Sequence, residues 1–131
     1  EQDIRREKAS SNVCTNQTLI AVCCAIQLGW LGTAGLRELA LRCARGTRYA
    51  RQALLAVEGV TPVADAPVFR EFAVRVPIDP GMVVERMAEE GFLAGIPLAD
   101  EYGEGLLVAV TERRTAEQIE GFAAALDKVL R

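Results

Sequence analysis

The chain has 131 residues, half of them hydrophobic, with 15 basic against 18 acidic side chains, four cysteines and no histidine. That length suits one compact domain around one core, over residues 1–131, and is too short for a two-domain enzyme. Without histidine the commonest general base and metal ligand is missing, so Ser-His-Asp, Cys-His and His-ligated zinc chemistry cannot be assembled from this chain alone.

At the N-terminal end, the segment Arg6 to Gln17 (REKASSNVCTNQ) concentrates hydrogen-bonding groups immediately before an apolar stretch. Two readings of it stand side by side: helix capping with a charged turn, or an anion or polar-ligand site at a positive helix terminus. From Leu19 to Leu31 the chain is apolar except for Gln27 and Gly29. Arg5, Arg6 and Lys8 ahead of it give a signal-peptide or membrane-span outline. The polar run from Ser10 to Thr18 separates charge from apolar centre, however, and thirteen helical residues reach about 20 Å against about 30 Å of bilayer hydrocarbon. The pattern predicts a helix over 16–28, apolar on all sides and therefore enclosed by a second layer or a partner.

Gly29 and Gly32 are expected to end that helix, and Thr33 to cap a second one reaching Glu58. Its inner face is Leu36, Ala40, Cys43, Thr47, Ala50, Leu54 and Val57, within an arc of roughly 80°, with Arg42, Arg45 and Arg48 opposite as a solvated face. Gly46 inside the helix implies close packing or a break. Gly59 to Pro67, with two prolines, reads as a loop. Phe69 to Val76 alternates like a half-covered strand, Phe72, Val74 and Val76 facing inward. Asp79-Pro80 is a cap with proline at the first helical position, and Gly91 closes the short helix it begins. A very short strand falls within Phe92 to Leu98, and Leu106 to Val110 is a continuous apolar strand. Thr115 and Gln118 form a capping box for a last helix with Ile119, Phe122, Ala123, Leu126 and Val129 or Leu130 inside. The order helix, helix, strand, helix, strand, helix predicts an α+β layer with helices on a small antiparallel or mixed sheet.

The cysteines, Cys14, Cys23, Cys24 and Cys43, contain no Cys-x-x-Cys pair, so no metal site is expected. Cys23, Cys24 and Cys43 read as small buried hydrophobes in a reducing cytosol, while Cys14, among polar residues, is the one plausible redox-active thiol. Gly29, Gly32 and Gly35 have the wrong spacing for a dinucleotide fingerprint, and there is no phosphate loop. The pairs Glu89-Glu90 and Asp100-Glu101 lie in polar surroundings, which excludes the desolvation a catalytic dyad needs. Five arginines between Arg37 and Arg51 are balanced by seven acids between Asp79 and Glu104, and aromatics are 5% of the chain, so nucleic acid is not an expected partner.

The segment Arg6 to Gln17 resembles a motif of subunit 1 of bacterial glycine dehydrogenase (decarboxylating), the P-protein family of the glycine cleavage system. The similarity continues at Glu71 to Pro77 (EFAVRVP), Gly91 to Leu98 (GFLAGIPL) and Leu106 to Thr115 (LLVAVTERRT), and so extends over nearly the whole chain. The resemblance implies the C-terminal small domain of a fold-type I, aminotransferase-like pyridoxal phosphate protein, with the large domain preceding Glu1. It implies that the Schiff-base lysine is on subunit 2, that subunits 1 and 2 form a heterotetramer, and that the cytoplasmic enzyme decarboxylates glycine and passes the aminomethyl group to the lipoyl arm of the H-protein. By resemblance, Arg6, Lys8, Ser11, Asn12, Thr15, Asn16 and Gln17 stand at the composite active site or the intersubunit contact. Lys8 beside Glu7 and Lys128 in the final turn both read as ion-pairing cations. This chain by itself is therefore expected to be inactive and to bind no cofactor. A different reading of the same residues is a freestanding α+β interaction module.

Overall fold

The computed structural model describes residues 17–98 and 103–131. Two compact units divide the chain, one ending at Leu36 and the other spanning Arg37–Arg131. The elements are α1 (Thr18–Leu55), β1 (Thr61–Pro62), β2 (Glu71–Arg75), α2 (Pro80–Glu89), β3 (Ile96–Leu98), β4 (Gly105–Ala109) and α3 (Ala116–Leu130). The fold is α+β, and the sheet, in the order β1-β2-β4-β3, is antiparallel throughout rather than mixed.

In the first unit α1 begins at Thr18, and the helix runs through Gly29 without ending there. The interruption is the single residue Gly32, at φ 57° and ψ −173°. A Cβ at Gly32 would meet nothing within 4 Å, so glycine is favoured there by backbone conformation and not by crowding. Of the two covers expected for this helix, a second layer is not supplied by the described residues: Leu19, Ile20, Val22, Ile26, Leu28 and Trp30 are all exposed, Trp30 at 86%. Cys23 and Cys24 are likewise exposed, not buried. An all-round apolar pattern states that a helix wants cover without stating that the same chain supplies it. By length and composition α1 would cross a membrane. The break at Gly32 nevertheless leaves fourteen continuous helical residues, Thr18 to Leu31, or about 21 Å against about 30 Å of hydrocarbon.

The second unit holds the core. Cys43, Thr47, Ala50 and Leu54, spaced by four, three and four, are the buried stripe of α1, and Arg42, Arg45 and Arg48 are exposed. Gly46 does not break the helix; a Cβ there would sit 3.5 Å from Val110 Cγ1, ordinary packing against the residue after β4. The helix stops at Leu55, three residues earlier than expected, and Val57 and Val60 stay buried in the turns that follow. β1 falls in the segment read as a loop: Thr61 pairs with Arg75 and Pro62 with Val74. A two-residue edge strand containing proline lacks the alternation that announces a strand.

β2 lies between β1 and β4 and shows the expected alternation, with Phe72 and Val74 buried between exposed Glu71 and Arg75. Asp79 Oδ2 accepts from the Met82 N–H at 2.8 Å, and Pro80 opens α2, as the sequence requires. α3 starts with the full capping box, the Gln118 N–H donating to Thr115 Oγ1 at 3.2 Å and the Thr115 N–H to Gln118 Oε1 at 3.1 Å. The helices and sheet close over Leu54, Val74, Val83, Met87, Leu106 and Leu126, none of which is exposed at all. Each such side chain contributes about 1.5–3 kcal/mol relative to leaving it in water.

Candidate functional site

Of the residues singled out in the sequence, Arg6, Lys8, Ser11, Asn12, Cys14, Thr15 and Asn16 lie outside the described residues. Gln17 is exposed, and its carbonyl accepts the Ala21 N–H at 3.0 Å. Gln17, the last residue of the polar motif, thus takes the position from which α1 starts, and the first helical residue, Thr18, comes two later than the sequence suggests. No acidic residue occupies the first turn of α1. The partial positive charge of that terminus is therefore not offset by a carboxylate in the turn.

A second feature is a cavity of about 560 Å³ in the second unit. Its floor comes from β4, its walls from α1 and α3 and its rim from the loop between α2 and β3. The backbone builds that rim: Gly91 has φ 85° and Gly95 φ 124°, and a Cβ on Gly95 would fall 2.2 Å from the Leu107 carbonyl oxygen. Only glycine allows this approach. Phe92 meets Phe122 edge to face with ring centroids 5.7 Å apart. Sequence reasoning missed the cavity, since its walls are residues that read simply as core.

Elsewhere the charged groups form surface pairs. Arg42 Nε donates to Glu38 Oε1 at 2.8 Å, and this hydrogen bond, with the charges of Arg42 and then Arg45, holds the Glu38 carboxyl below its ordinary value. Tyr49 donates to Glu120, and that bond, followed by desolvation and the carboxylate charge, raises the Tyr49 hydroxyl above its ordinary value. Lys128 Nζ pairs with Glu90 Oε1 at 2.7 Å, so the one lysine among the described residues is engaged at the surface. Cys43, buried as expected, directs Sγ toward Glu112 Oε2 at 3.7 Å. Thr47 Oγ1, one turn further on, is buried without a hydrogen-bond partner. Among the described residues no cluster of three or more Cys, Asp or Glu side chains could hold a metal ion.

The sequence matches the family model of the glycine cleavage system P-protein over residues 1–126. The chain belongs to the glycine cleavage system P-protein family. It is 44% identical over 133 aligned positions to the probable glycine dehydrogenase (decarboxylating) subunit 1 of Moorella thermoacetica, a match covering 99% of this chain and 30% of that protein. The protein of the same name from Chlorobium chlorochromatii is 44% identical over 126 positions, covering 96% of this chain and 28% of its own length. The crystal structure of a glycine decarboxylase (P-protein) of the glycine cleavage system, in inhibitor-bound form, superposes with a TM-score of 0.85 at 40% identity, covering 95% of this chain and 29% of that one. The P-protein resemblance carried by Arg6 to Gln17 is thereby borne out at the level of the family, and the fold with it. The chain spans about 30% of the length of the relatives it matches.

Proposed function

We propose that this chain is the C-terminal small domain of subunit 1 of a two-subunit glycine dehydrogenase (decarboxylating) in the cytoplasm. The observation that carries this reading is the P-protein family match over residues 1–126, together with relatives that bear the subunit 1 name. In this reading the complete enzyme is a heterotetramer with subunit 2; it decarboxylates glycine and transfers the aminomethyl group to the lipoyl arm of the H-protein. Neither nucleic acid nor a membrane is a partner.

Pyridoxal phosphate, when bound to the complete enzyme, supplies the electron sink for the carbanion. The described residues of this chain do not fit that group by themselves. Lys128 is committed to Glu90 at the surface, and the apolar cavity offers no lysine. In this reading the Schiff-base lysine stands on subunit 2, as the family resemblance implies, and no step of the reaction is derived from the described residues. What the chain contributes is the segment Arg6 to Gln17 at the start of α1, as an active-site or interface element. The exposed apolar first unit supports a domain that works inside a larger assembly. The alternative of a freestanding interaction module is not favoured by the family match.

The test is reconstitution. The 131-residue chain mixed with glycine and pyridoxal phosphate is expected to release no carbon dioxide. The complete subunit 1 with subunit 2 and lipoylated H-protein is expected to release it, and a version lacking this segment is not. Glycine decarboxylation by the 131-residue chain alone would overturn the proposal.

A further inference from the structure

Leu106 to Val110 is apolar without a break, the pattern of a strand covered on both faces, yet the described residues cover only one face of the sheet. Phe72 pairs with Val108 and Val74 with Leu106, and these four side chains are buried together with Leu54, Val83 and Leu126 of the three helices. The other face carries Glu71, Ala73 and Arg75 of β2, Leu107 and Ala109 of β4 and Ile96 of β3, because directly opposed residues of an antiparallel pair point the same way. Of these, Ala73, Leu107, Ala109 and Ile96 are apolar, and none packs in the core. Ala109 and Ile96 are exposed, Ile96 at 62%, and Ala73 and Leu107 are half-buried. The solvated face of an antiparallel sheet is ordinarily polar; this one is apolar along β4 and β3.

We propose that this face is an interface between two copies of the chain, packed sheet on sheet about a two-fold axis. The charge pattern selects that occupant. Glu71 and Arg75 are the only charged residues in the four described strands, and they stand two residues to either side of Ala73, about 7 Å away in each direction. Ala73, Leu107 and Ile96 form one row across the sheet. A two-fold axis along that row, midway between sheets about 10 Å apart, reverses the strand direction and sets Glu71 of each copy opposite Arg75 of the other. The contact is isologous, so both ion pairs form at once. A partner of another sequence needs a matched pair of opposite charges at that spacing, whereas a second copy has it by symmetry.

Neither charge is neutralised within the chain. Among the described residues Glu71 and Arg75 enter no ion pair. Arg75 Nη1 donates to the Pro62 and Val63 carbonyls at 3.2 and 3.5 Å, uncharged acceptors that hold the guanidinium beside β1 and leave it without a carboxylate. The small side chains of Ala73 and Ala109 let two sheets approach, and Ile96 and Leu107 supply apolar surface that the approach removes from water. The face is only a few short strands wide, less than a standard interface, so the association is weak and governed by concentration.

Sedimentation of the 131-residue chain over a range of concentrations tests this, with circular dichroism to check that each variant is folded. The native chain is expected to pass from monomer to dimer with a midpoint of about 100 µM. Glu71→Arg and Arg75→Glu each set like charges against one another, and each is expected to weaken the dimer at least about tenfold. An equimolar mixture of the two is expected to restore it, since one copy then presents two cations on this face and the other two carboxylates. Arg75→Glu gives up two bonds to β1 and its neighbour. Ala73→Arg, at the axis, gives up none; it places a guanidinium against its own copy and is expected to leave a monomer. The proposal is overturned by a native chain that stays monomeric up to about 1 mM. A dimer that survives both Glu71→Arg and Ala73→Arg overturns it as well and assigns the association to the exposed first helix. So does a mixture of the two folded charge variants that stays monomeric. A monomer whose binding to subunit 2 is abolished by Glu71→Arg gives the face to that subunit instead. No cofactor or turnover enters the measurement, so its failure leaves the P-protein reading untouched.

Discussion

The Tyr49 hydroxyl donates to the Glu120 carboxylate, joining α1 to α3 across 71 residues of sequence at the exposed surface of the second unit. The hydroxyl is neutral while it donates, which is why its ionisation is displaced upward from the ordinary 10.0. A group whose folded value is raised contributes stability in full below its unfolded value and loses it as pH rises through the folded one. Unfolding midpoints measured from pH 8 upward should therefore fall more steeply above about pH 10 in the native chain than in Tyr49→Phe. Parallel curves for the two would remove the bond from the account. Glu38 gives the mirror case. Its lowered value means that stability present above the ordinary 4.5 is lost on acidification, and Arg42→Gln should flatten that acid limb.

Thr47 Oγ1 is buried with no partner. An unsatisfied buried hydroxyl costs about 1–3 kcal/mol, whereas an apolar group of the same shape costs nothing comparable. Thr47→Val is expected to raise stability by about 1 kcal/mol, read as a shift in denaturant midpoint at unchanged slope. A loss of stability would show that the hydroxyl has a partner after all.

Gly95 and Gly91 separate two reasons for glycine. Both have positive φ, but a Cβ on Gly95 would lie 2.2 Å from the Leu107 carbonyl oxygen while one on Gly91 meets nothing within 4 Å. Gly91→Ala should cost about 1–2 kcal/mol, the backbone term alone. Gly95→Ala must in addition push β3 away from β4, and should cost more than about 3 kcal/mol. Denaturant unfolding of both variants checks this, and equal effects would place the strain elsewhere.

The capping box at Thr115 was legible in the sequence down to its two hydrogen bonds, and so was Asp79 before Pro80, because caps are local chemistry with fixed spacing. Thr115→Ala is expected to destabilise the second unit by about 1 kcal/mol. Hydrogen exchange should place that loss in the first turns of α3 rather than in the sheet.

Long-range features were less legible. Period two located β2 and β4, since Phe72, Val74, Leu106 and Val108 must share a face to be buried. β1 went unseen because Pro62 offers no pattern, and its place is set by pairing with Val74 and Arg75. Gly29 and Gly32 look alike in sequence, yet one lies within the helix and the other interrupts it. Burial of Cys23 and Cys24 was inferred from apolar neighbours, a rule that holds only where the chain supplies its own cover. For the candidate site the string from Arg6 to Gln17 identified the family, because recognition needs residue order alone. The cavity rimmed by the Gly91–Gly95 loop needed the fold, because its walls come from parts of the chain more than sixty residues apart.

Trp30 is the only tryptophan, and it sits almost fully in water on the apolar helix of the first unit. The protein thus has a single indole, which red-edge excitation selects from its two tyrosines, and it belongs to the first unit. Emission excited at the red edge of the indole band reports on what touches that helix and is blind to melting of the sheet. A blue shift at constant circular dichroism would mark the arrival of a neighbour, and loss of dichroism at constant colour would mark unfolding of the second unit. Two events that a single melting curve would merge are separated by where one indole ring stands.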